Sequence, residues 1–321
     1  MMKITELDVI KTIMDNITYR GDVVKGIGDD CAVFKLGNTY LTVTTDMMFR
    51  STHFPDILTP FQIGMRVITA TVSDICAMCA RPLGIVVSMG LPTVERGFLL
   101  ELIKGIDYAC RKYSCPIVGG DTNRGKELIL CGTAIGVTDN PVYRGGKVGE
   151  DIMVTYDIGR VYCALEILKM KEKGVISRKT FYDLWEEYPN IMKKLVEPIA
   201  RVREGLLLNK YVSSCCDISD GLKKELFYIG NFEISSKKLL RVVPKDVIEF
   251  CDRFQIDPIH AALNSGEEFE LLFTTKRCDD IFEVLRSECE GEAKKIGKVI
   301  EEGYYIDGEE LEFGGYIHSW E

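Results

Sequence analysis

Apolar side chains recur at two different spacings along the first half of the chain. Residues 40–46 (YLTVTTD) alternate apolar and polar positions, which predicts a strand that ends at Asp46. Apolar residues return every three or four positions over 60–80 and 95–113, which predicts two helices. Short apolar runs predict further strands at 83–91, 115–121 and 127–137. Helices and strands therefore mix through this half, as in an α/β or α+β domain.

A polar, turn-rich segment at 138–151 separates this half from the next. We predict a first domain over 1–140 and a second over 148–321. The charged segment 170–195 is expected to form a helical insertion on the surface. The other elements expected in the second half are a strand at 152–156, a helix at 161–172, a strand, loop and helix within 211–229, a strand at 268–274 and a hairpin that turns at Asp307 and Gly308.

The N-terminal residues predict an amphipathic helix and not a targeting signal. Leu7, Ile10, Met14 and Ile17 fall at helical spacing, and acidic residues occur in the same run, unlike a secretory signal peptide. We find no run of about 18 consecutive apolar residues, so the sequence predicts no membrane span. A cytoplasmic protein without a membrane partner is expected.

The composition changes this picture in one respect, the sign of the charge. The 321 residues are 46% hydrophobic and 28% charged, which is ordinary for a globular protein. A net charge of −9 argues against a nucleic-acid partner, because non-specific binding to nucleic acid needs a basic surface. Phosphate ligands remain open if metal ions supply the positive charge.

Twelve cysteines and three histidines raise the question of a zinc or disulfide framework. The cysteines are scattered, and no histidine stands at a partner spacing from the closest candidate pair, Cys76 and Cys79. Both fall on a helical pattern, and Cys215 and Cys216 fall at the end of an apolar strand. We interpret these cysteines as small core residues.

Five stretches place aspartates at strand ends, in glycine turns or on an apolar helix face: GIGDD, TTDMM, TVSDI, VGGDT and CDISDG. Singly, each aspartate has an ordinary explanation as a turn residue or a helix N-cap. Asp74 fits that explanation least, because it shares a helix stripe with Val67, Thr71 and Met78. An ionised carboxylate there costs several kcal/mol unless it is paired, and the basic residues close in sequence are Arg66 and Arg81.

A shared cation is a more economical partner for several converging aspartates, and oxygen ligands suit Mg²⁺. Asp217 and Asp220 flank Ser219 ahead of a predicted helix N-terminus, where backbone amides accept an anion. Asp121 follows two glycines in a predicted turn. The sequence has no GxxxxGK[ST] phosphate loop. These features together predict a magnesium–nucleotide enzyme of a different type, with phosphoryl transfer as its reaction.

Seven stretches, in this order, resemble the thiamine-monophosphate kinases of the aminoimidazole ribonucleotide synthetase and selenophosphate synthetase superfamily: GIGDDCAVF, TTDMMFRSTHF, TVSDICAMCARPLG, VGGDTNRG, YRGGKVGED, CDISDGL and SGEEFELLFT. The resemblance implies two mixed α/β domains of the aminoimidazole ribonucleotide synthetase type. It implies in-line transfer of the γ-phosphoryl group of ATP to the phosphate of thiamine monophosphate, which gives thiamine diphosphate and is assisted by several Mg²⁺ ions. It also implies a homodimer in which N-terminal strands of both chains form a barrel.

The resemblance further implies roles for individual residues. Positions that bind metal in the family are matched by Asp30, Thr44, Thr45, Asp46, Asp74, Asp121, Asp217 and Asp220. Positions that contact ATP are matched by Gly120, Asp121, Arg144 and Ser219. Positions that bind the acceptor substrate are matched by His53 and Glu267, and Trp320 is the aromatic available to pack on thiamine.

The chain departs from the family at Ile103, where a tyrosine that contacts adenine is expected. This departure keeps two alternatives open, a paralogue that acts on another phosphate acceptor and a non-catalytic nucleotide-binding protein. A selenophosphate synthetase is disfavoured because no reactive cysteine precedes Cys31. A hydrogenase-maturation protein is disfavoured because the C-terminal residues, IHSWE, contain no cysteine. Asp29 receives no role from the resemblance.

Overall fold

The computed structural model describes residues 4–19 and 21–320. Its strands are β1 (Ile4–Thr5), β2 (Val23–Lys25), β3 (Ala32–Leu36), β4 (Thr39–Phe49), β5 (Arg81–Leu91), β6 (Ile117–Arg124), β7 (Ile129–Thr138), β8 (Asp151–Thr155), β9 (Ser214–Asp217), β10 (Phe232–Ile234), β11 (Leu271–Thr275), β12 (Ala293–Val299), β13 (Tyr304–Ile306), β14 (Glu309–Glu310) and β15 (Ser319–Trp320).

Its helices are α1 (Glu6–Asn16), α2 (Arg50–His53), α3 (Pro60–Ala77), α4 (Arg96–Lys112), α5 (Arg160–Glu172), α6 (Arg178–Glu187), α7 (Pro189–Val196), α8 (Val202–Leu208), α9 (Leu222–Ile229), α10 (Ser236–Leu239), α11 (Lys245–Phe254), α12 (Pro258–Leu263) and α13 (Cys278–Cys289). The predicted mixture of helices and strands is confirmed in both halves.

The first half forms a six-stranded sheet in the order β2-β3-β4-β7-β5-β6, antiparallel except for the pairing of β5 with β6. Helix α3 packs against this sheet and begins with a capping box, in which Thr59 and Gln62 exchange side-chain and backbone hydrogen bonds. Two glycines bring α4 close to α3, since a Cβ on Gly64 or Gly105 would lie 2.2 or 1.9 Å from a backbone oxygen of the other helix. The predicted helices over 60–80 and 95–113 are confirmed.

The second half forms a seven-stranded sheet in the order β14-β13-β10-β12-β8-β11-β9. Strands β8 and β11 are buried along almost their whole length, which matches their continuous apolar sequence. Strands β13 and β14 form the predicted hairpin, and its turn residues Asp307 and Gly308 both have positive φ, as a tight hairpin turn requires.

Three predicted strand boundaries are wrong in ways that bear on function. Strand β4 continues beyond Asp46 to Phe49, so Asp46 lies within a strand and not at its end. Gly120 and Asp121 lie inside β6, where a turn was expected. The strand expected from residue 268 begins at Leu271, and the acidic residues before it form a loop.

The segment 170–195 is helical, as predicted, but the expectation that it is a surface insertion is wrong. It contains α6 and most of α7, whose apolar side chains Phe181, Leu184, Ile191 and Leu195 are buried in the core of the second half. The many charged residues between them lie on the opposite faces of amphipathic helices. The helices are therefore part of the core packing.

The two large sheets use separate stretches of chain, with Thr138 and Asp151 as the nearest strand ends. The ends of the described chain meet, because β1 pairs with β15 and so joins the two halves. The division into domains at 1–140 and 148–321 stays a prediction. Within the residues that the structure describes, no helix is both long enough and apolar enough to cross a membrane.

Candidate active site

Three aspartates from distant parts of the sequence meet between the two halves. Asp30 lies in the loop before β3, Asp74 lies in the last turns of α3, and Asp217 ends β9. One carboxylate oxygen from each lies within 4.8 Å of the others. The predicted convergence of aspartates is confirmed for these three residues.

The close approach of these acids is electrostatically unfavourable without a cation. Burial, followed by the charge of Asp30, raises the pKa of Asp217 to about 7. Burial and then the charges of Asp46, Asp217 and Asp30 raise the pKa of Asp74 well above its usual value. A cation that neutralises the mutual repulsion of these carboxylates would stabilise their ionised forms.

The hydrogen bonds around the three carboxylates leave oxygens free for such a cation. Ser73 donates to Oδ2 of Asp217 at 2.6 Å, and Thr44 donates to Oδ2 of Asp74. Oδ1 of Asp217 and Oδ2 of Asp30 are buried and have no hydrogen-bond partner among the described residues. Unpartnered buried carboxylate oxygens fit the oxygen donor set that Mg²⁺ prefers.

Strand β4 contributes to the cluster from one of its faces. Thr44 contacts Asp74, and Asp46 projects from the same face two residues further along the strand. Burial raises the pKa of Asp46 to about 6, and Asp220 and Asp30 add to the effect. Thr45 points to the opposite face, where its hydroxyl contacts Thr133, so its side chain is not part of the cluster.

Arg144 reaches the cluster from the segment between the two sheets. Its guanidinium donates to Asp30 and lies 3.6 Å from Glu225, and its plane packs on Tyr228 with 4.4 Å to the ring centroid. Both carboxylate side chains are 1% exposed. The Arg144 side chain is 19% exposed, and the resemblance implies an ATP phosphate contact for it.

Asp29, which had no assigned role, holds the acidic loop in place. Its carboxylate pairs with Lys25 at 3.2 Å and accepts hydrogen bonds from the backbone nitrogens of Asp30 and Arg144. The aspartate therefore anchors the loop and leaves Asp30 to face Asp74 and Asp217.

Gly120 and Asp121 lie away from the three aspartates, on the edge strand β6. Two strands, β7 and β5, lie between β4 and β6 in the sheet, and Asp121 accepts a hydrogen bond from Asn123 at 2.6 Å. Gly120 is required by close packing, since a Cβ there would lie 2.0 Å from the carbonyl oxygen of Val87. The structure therefore does not bring Asp121 to the cluster within this single chain.

A cavity of about 630 Å³ is lined in part by Ser219 and Asp220, which follow Asp217 in the chain, although none of the three clustered aspartates lines it. Four of the predicted residues line it: His53, Ser219, Asp220 and Glu267. Asp220 pairs with Lys224 at 2.6 Å and so lies outside the three-aspartate cluster. Burial lowers the pKa of His53, which favours a neutral imidazole that donates or accepts hydrogen bonds.

The position of Arg66 in the sequence had suggested it as a partner for Asp74, but Arg66 does not pair with Asp74. Its guanidinium pairs with Glu267, and Arg81 lies on the exposed start of β5. Glu267 precedes two acids that are buried: Glu268 accepts hydrogen bonds from the backbone at the start of α5, and Glu270 pairs with Arg201 and Lys194.

Trp320 does not line the cavity. It lies in β15 with 50% of its surface exposed, and its ring centroid is 6.5 Å from that of His318. Tyr316 and His318 line the cavity in its place, and their rings meet edge to face at 4.9 Å. The aromatic wall expected from the C-terminus is present, but different residues supply it.

Sequence reasoning missed several cavity residues and one buried acid. The missed wall residues are Tyr162, Leu165, Lys169, His260, Asn264, Tyr316 and His318. No local motif distinguishes them, because helices α5 and α12 and the C-terminus meet only in the folded chain. Glu225 was also missed, although its position within an apolar helical stripe of α9 was a usable signal.

Cys76, Cys79, Cys215 and Cys216 are buried in the core, as expected. Ile103 lies on α4 with 41% of its surface exposed.

Comparisons with known proteins show which proteins this chain resembles. The family model described as "AIR synthase related protein, N-terminal domain" matches residues 28–138. The thiamine-monophosphate kinase of Methanocaldococcus jannaschii is 54% identical over 321 residues, covering 98% of this chain and 99% of that protein. The thiamine-monophosphate kinase of Pyrococcus horikoshii is 36% identical over 279 residues, covering 85% and 83%. The solved structure "AaThiL complexed with AMPPCP and TMP" has a TM-score of 0.83 and 27% identity, covering 98% of this chain and 97% of that one.

Proposed function

The chain belongs to the thiamine-monophosphate kinase family of enzymes, and from that premise we propose that it transfers the γ-phosphoryl group of ATP to thiamine monophosphate. The product is thiamine diphosphate. The observation that carries the proposal is the cluster of Asp30, Asp74 and Asp217, with two buried unpartnered oxygens, together with a cavity lined by His53 and Glu267.

Asp30, Asp74 and Asp217 would hold Mg²⁺, with Asp46 and Thr44 beside them. Bound Mg²⁺ neutralises phosphate charge and orients the two phosphates for in-line transfer. The further metal positions inferred by resemblance, Thr45, Asp121 and Asp220, lie outside this cluster and stay predictions. Gly120 and Ser219 stay predictions as ATP contacts.

The protein residues mainly have to position the reactants. The attacking phosphate oxygen is already anionic at neutral pH, so no strong general base is required. The barrier lies in bringing two anions together in line, and positioning plus charge stabilisation lowers it. Arg144 would donate to the ATP phosphates from its position beside Asp30, and neutral His53 would hold the acceptor phosphate by a hydrogen bond. Glu267 would face the cationic ring of the acceptor.

A homodimer is proposed on the outer face and edge of the first sheet. On β6 all eight residues are exposed, and one edge of that strand has no partner among the described strands. Met47 and Ile135 are exposed on the sheet face opposite α3, at 56% and 40%. A second copy would cover both the edge and this face. The barrel arrangement and the cytoplasmic location stay predictions.

A panel of phosphate acceptors tests the proposed reaction. The enzyme is incubated with Mg²⁺ and ATP labelled at the γ-phosphate, and with thiamine monophosphate, thiamine or other phosphate monoesters. We expect label in thiamine diphosphate and a kcat/KM for thiamine monophosphate at least about a hundredfold above that for any other acceptor. Preference for another acceptor would favour a paralogue, and nucleotide binding without transfer would favour a non-catalytic protein. Either outcome contradicts the proposal.

A further inference from the structure

Glu267 occupies a loop whose backbone is fixed in an uncommon conformation. Glu267 and Phe269 both have φ of 53°, in the left-handed region that non-glycine residues rarely adopt. The backbone nitrogen of Glu267 donates to the carbonyl of Ser219 at 2.6 Å, and that of Phe269 donates to the carbonyl of Ile218 at 3.0 Å. The two acceptor residues, Ile218 and Ser219, directly follow Asp217, so these hydrogen bonds tie the loop to the end of β9.

The neighbouring side chains of this loop are committed to its anchoring. Ser265 and Glu268 are fully buried, and Ser265 donates to Glu268 at 2.6 Å. Glu268 also accepts a hydrogen bond from the backbone nitrogen of Gly159 at 2.7 Å. Glu267 is the acidic side chain of the loop that reaches the cavity, where 28% of its side chain is exposed.

One fully buried arginine holds the carboxylate of Glu267. Arg66, on α3, has a side chain that is 1% exposed. Its Nη2 donates to Oε2 of Glu267, and its Nη1 donates to the carbonyl of Leu195 at 2.7 Å. The guanidinium therefore crosses from the first half of the chain to two segments of the second half.

A contribution to folding stability alone does not explain the pairing of buried Arg66 with Glu267. Burying a guanidinium costs free energy, and apolar residues of similar volume often serve equally well between packed segments. The Nε of Arg66 is also buried without a partner among the described residues. The contact does fix one carboxylate oxygen of Glu267 while the side chain still faces the cavity. Arg66 also lies eight residues from Asp74 on α3, so one helix carries both groups.

The charges of both residues reach His53, which lines the same cavity. Burial lowers the pKa of His53, Glu267 acts to raise it, and Arg66 acts to lower it. The two charged groups thus influence the binding cavity together, although only Glu267 lines it.

We propose that Arg66 is a positioning residue for Glu267, and that this pair sets the affinity for a cationic acceptor without contact between Arg66 and the acceptor. The inference rests on the proposed function, since the thiazolium ring of thiamine monophosphate supplies the positive charge. Arg66 holds one carboxylate oxygen, and the other remains directed to the ligand.

The test compares Arg66→Gln, Arg66→Lys, Glu267→Gln and the double variant Arg66→Gln/Glu267→Gln. We expect Arg66→Gln to raise KM for thiamine monophosphate about tenfold while KM for ATP stays within about twofold. Arg66→Lys keeps the charge but loses the second hydrogen bond, and should fall between the wild type and Arg66→Gln. The double variant should match Glu267→Gln alone, because both changes remove one function.

A matched control removes another contact between the halves far from the cavity. Asn209 donates to the carbonyls of Cys79 at 3.2 Å and Asn140 at 2.7 Å. Asn209→Ala should leave both KM values within about twofold. If Arg66→Gln does not fold, the Arg66→Lys effect in the wild-type and Glu267→Gln backgrounds gives the same comparison.

Failure of the role proposed for Arg66 can be distinguished from failure of the proposed function. An unchanged KM for thiamine monophosphate in Arg66→Gln or Arg66→Lys, or effects that multiply in the double variant, would overturn the role of Arg66 while wild-type turnover stands. Binding of thiamine monophosphate to the wild type, followed by calorimetry without ATP, gives a readout that does not depend on turnover. Absence of both binding and turnover in the wild type would overturn the proposed function and this inference with it.

Discussion

Asp30 and Arg144 form an ion pair that joins the acidic loop before β3 to the segment between the two sheets. The same arginine packs on Tyr228 and lies near Glu225, so it is held on three sides. An acidic loop alone would repel a phosphate. With Arg144 beside it and a cation among the aspartates, the same place becomes suitable for a nucleotide phosphate.

Replacement of Arg144 should weaken ATP binding selectively. Lysine keeps the charge but loses the planar fork that donates two parallel hydrogen bonds. We expect Arg144→Lys to raise KM for ATP about tenfold, equivalent to about 1.4 kcal/mol, with KM for thiamine monophosphate nearly unchanged. Steady-state kinetics with each substrate varied would measure both constants. Arg178→Lys, at an exposed site on α6, is the control, and an unaltered KM for ATP in Arg144→Lys would refute the assignment.

The two glycines of β6 should respond differently to alanine. A Cβ at Gly120 would lie 2.0 Å from the carbonyl oxygen of Val87, whereas one at Gly119 would lie 3.5 Å from a methyl group of Val86. Gly120→Ala must displace the edge strand, and overpacking of this kind costs about 1–3 kcal/mol. Urea unfolding should show that loss for Gly120→Ala and a change below about 0.5 kcal/mol for Gly119→Ala. Equal midpoints for the two variants would contradict the packing argument.

Glu270 should make stability depend on acid pH. Burial opposes its ionisation, but Arg201 and Lys194 outweigh burial and hold its pKa below the usual 4.5. A carboxylate with a lowered folded-state pKa adds stability above its unfolded pKa, and that stability is lost as pH falls through the folded value.

We therefore expect Glu270→Gln to be destabilised by about 3–5 kcal/mol at pH 7, because two largely buried cations, each 13% exposed, lose their partner. The difference from the wild type should shrink as pH falls below 4.5. Urea unfolding of both proteins from pH 7 to pH 3 measures this. A difference that stays constant over the whole range would show that Glu270 is not ionised in the folded protein.

Variants of Tyr316 and Trp320 test which C-terminal aromatic residue packs on thiamine. The structure indicates Tyr316, and the sequence resemblance indicated Trp320. Tyr316 lines the cavity, and Trp320 lies outside it with half of its surface exposed. Tyr316→Ala should raise KM for thiamine monophosphate about tenfold through lost aromatic contact. Trp320→Ala should change it by less than about twofold. The reverse pattern would restore Trp320 as the residue that packs on thiamine.

The sequence predicted those features that depend on local pattern. Asp74 on an apolar helix indicated a shared cation, and the capped helix around it was correctly placed because its periodicity is strong. The segment 170–195 was wrongly predicted to be a surface insertion, because its many charged residues obscure the amphipathic periodicity of its helices. Its apolar residues are core residues. Asp46 and Asp121 were expected at strand ends because aspartate favours turns, yet strand pairing overrides that preference here.

The partners of the site were harder to predict because they are distant in sequence. Arg66 and Glu267 are 201 positions apart, and Tyr162, His260 and Tyr316 come together only when helices and C-terminus pack. A single sequence contains no local signal for such contacts. Family resemblance supplied Glu267, while the structure supplied the arginine that holds it.

Direct binding of Mg²⁺ tests the central claim most closely, because it does not depend on turnover. Isothermal calorimetry and thermal unfolding would compare the wild type with Asp74→Asn, which keeps the shape of the side chain and removes its charge. Asp183→Asn, at an exposed position on α6, serves as the control.

We expect Mg²⁺ to bind the wild type and Asp183→Asn and to raise their unfolding temperatures by several degrees. A free Mg²⁺ concentration of about 100 times the Kd stabilises the folded protein by about 2.7 kcal/mol. Asp74→Asn should bind Mg²⁺ at least about tenfold more weakly and should melt at a higher temperature than the metal-free wild type, because one repelling charge is gone. Equal Mg²⁺ affinity in Asp74→Asn and the wild type would contradict the assignment of the three aspartates as the metal site.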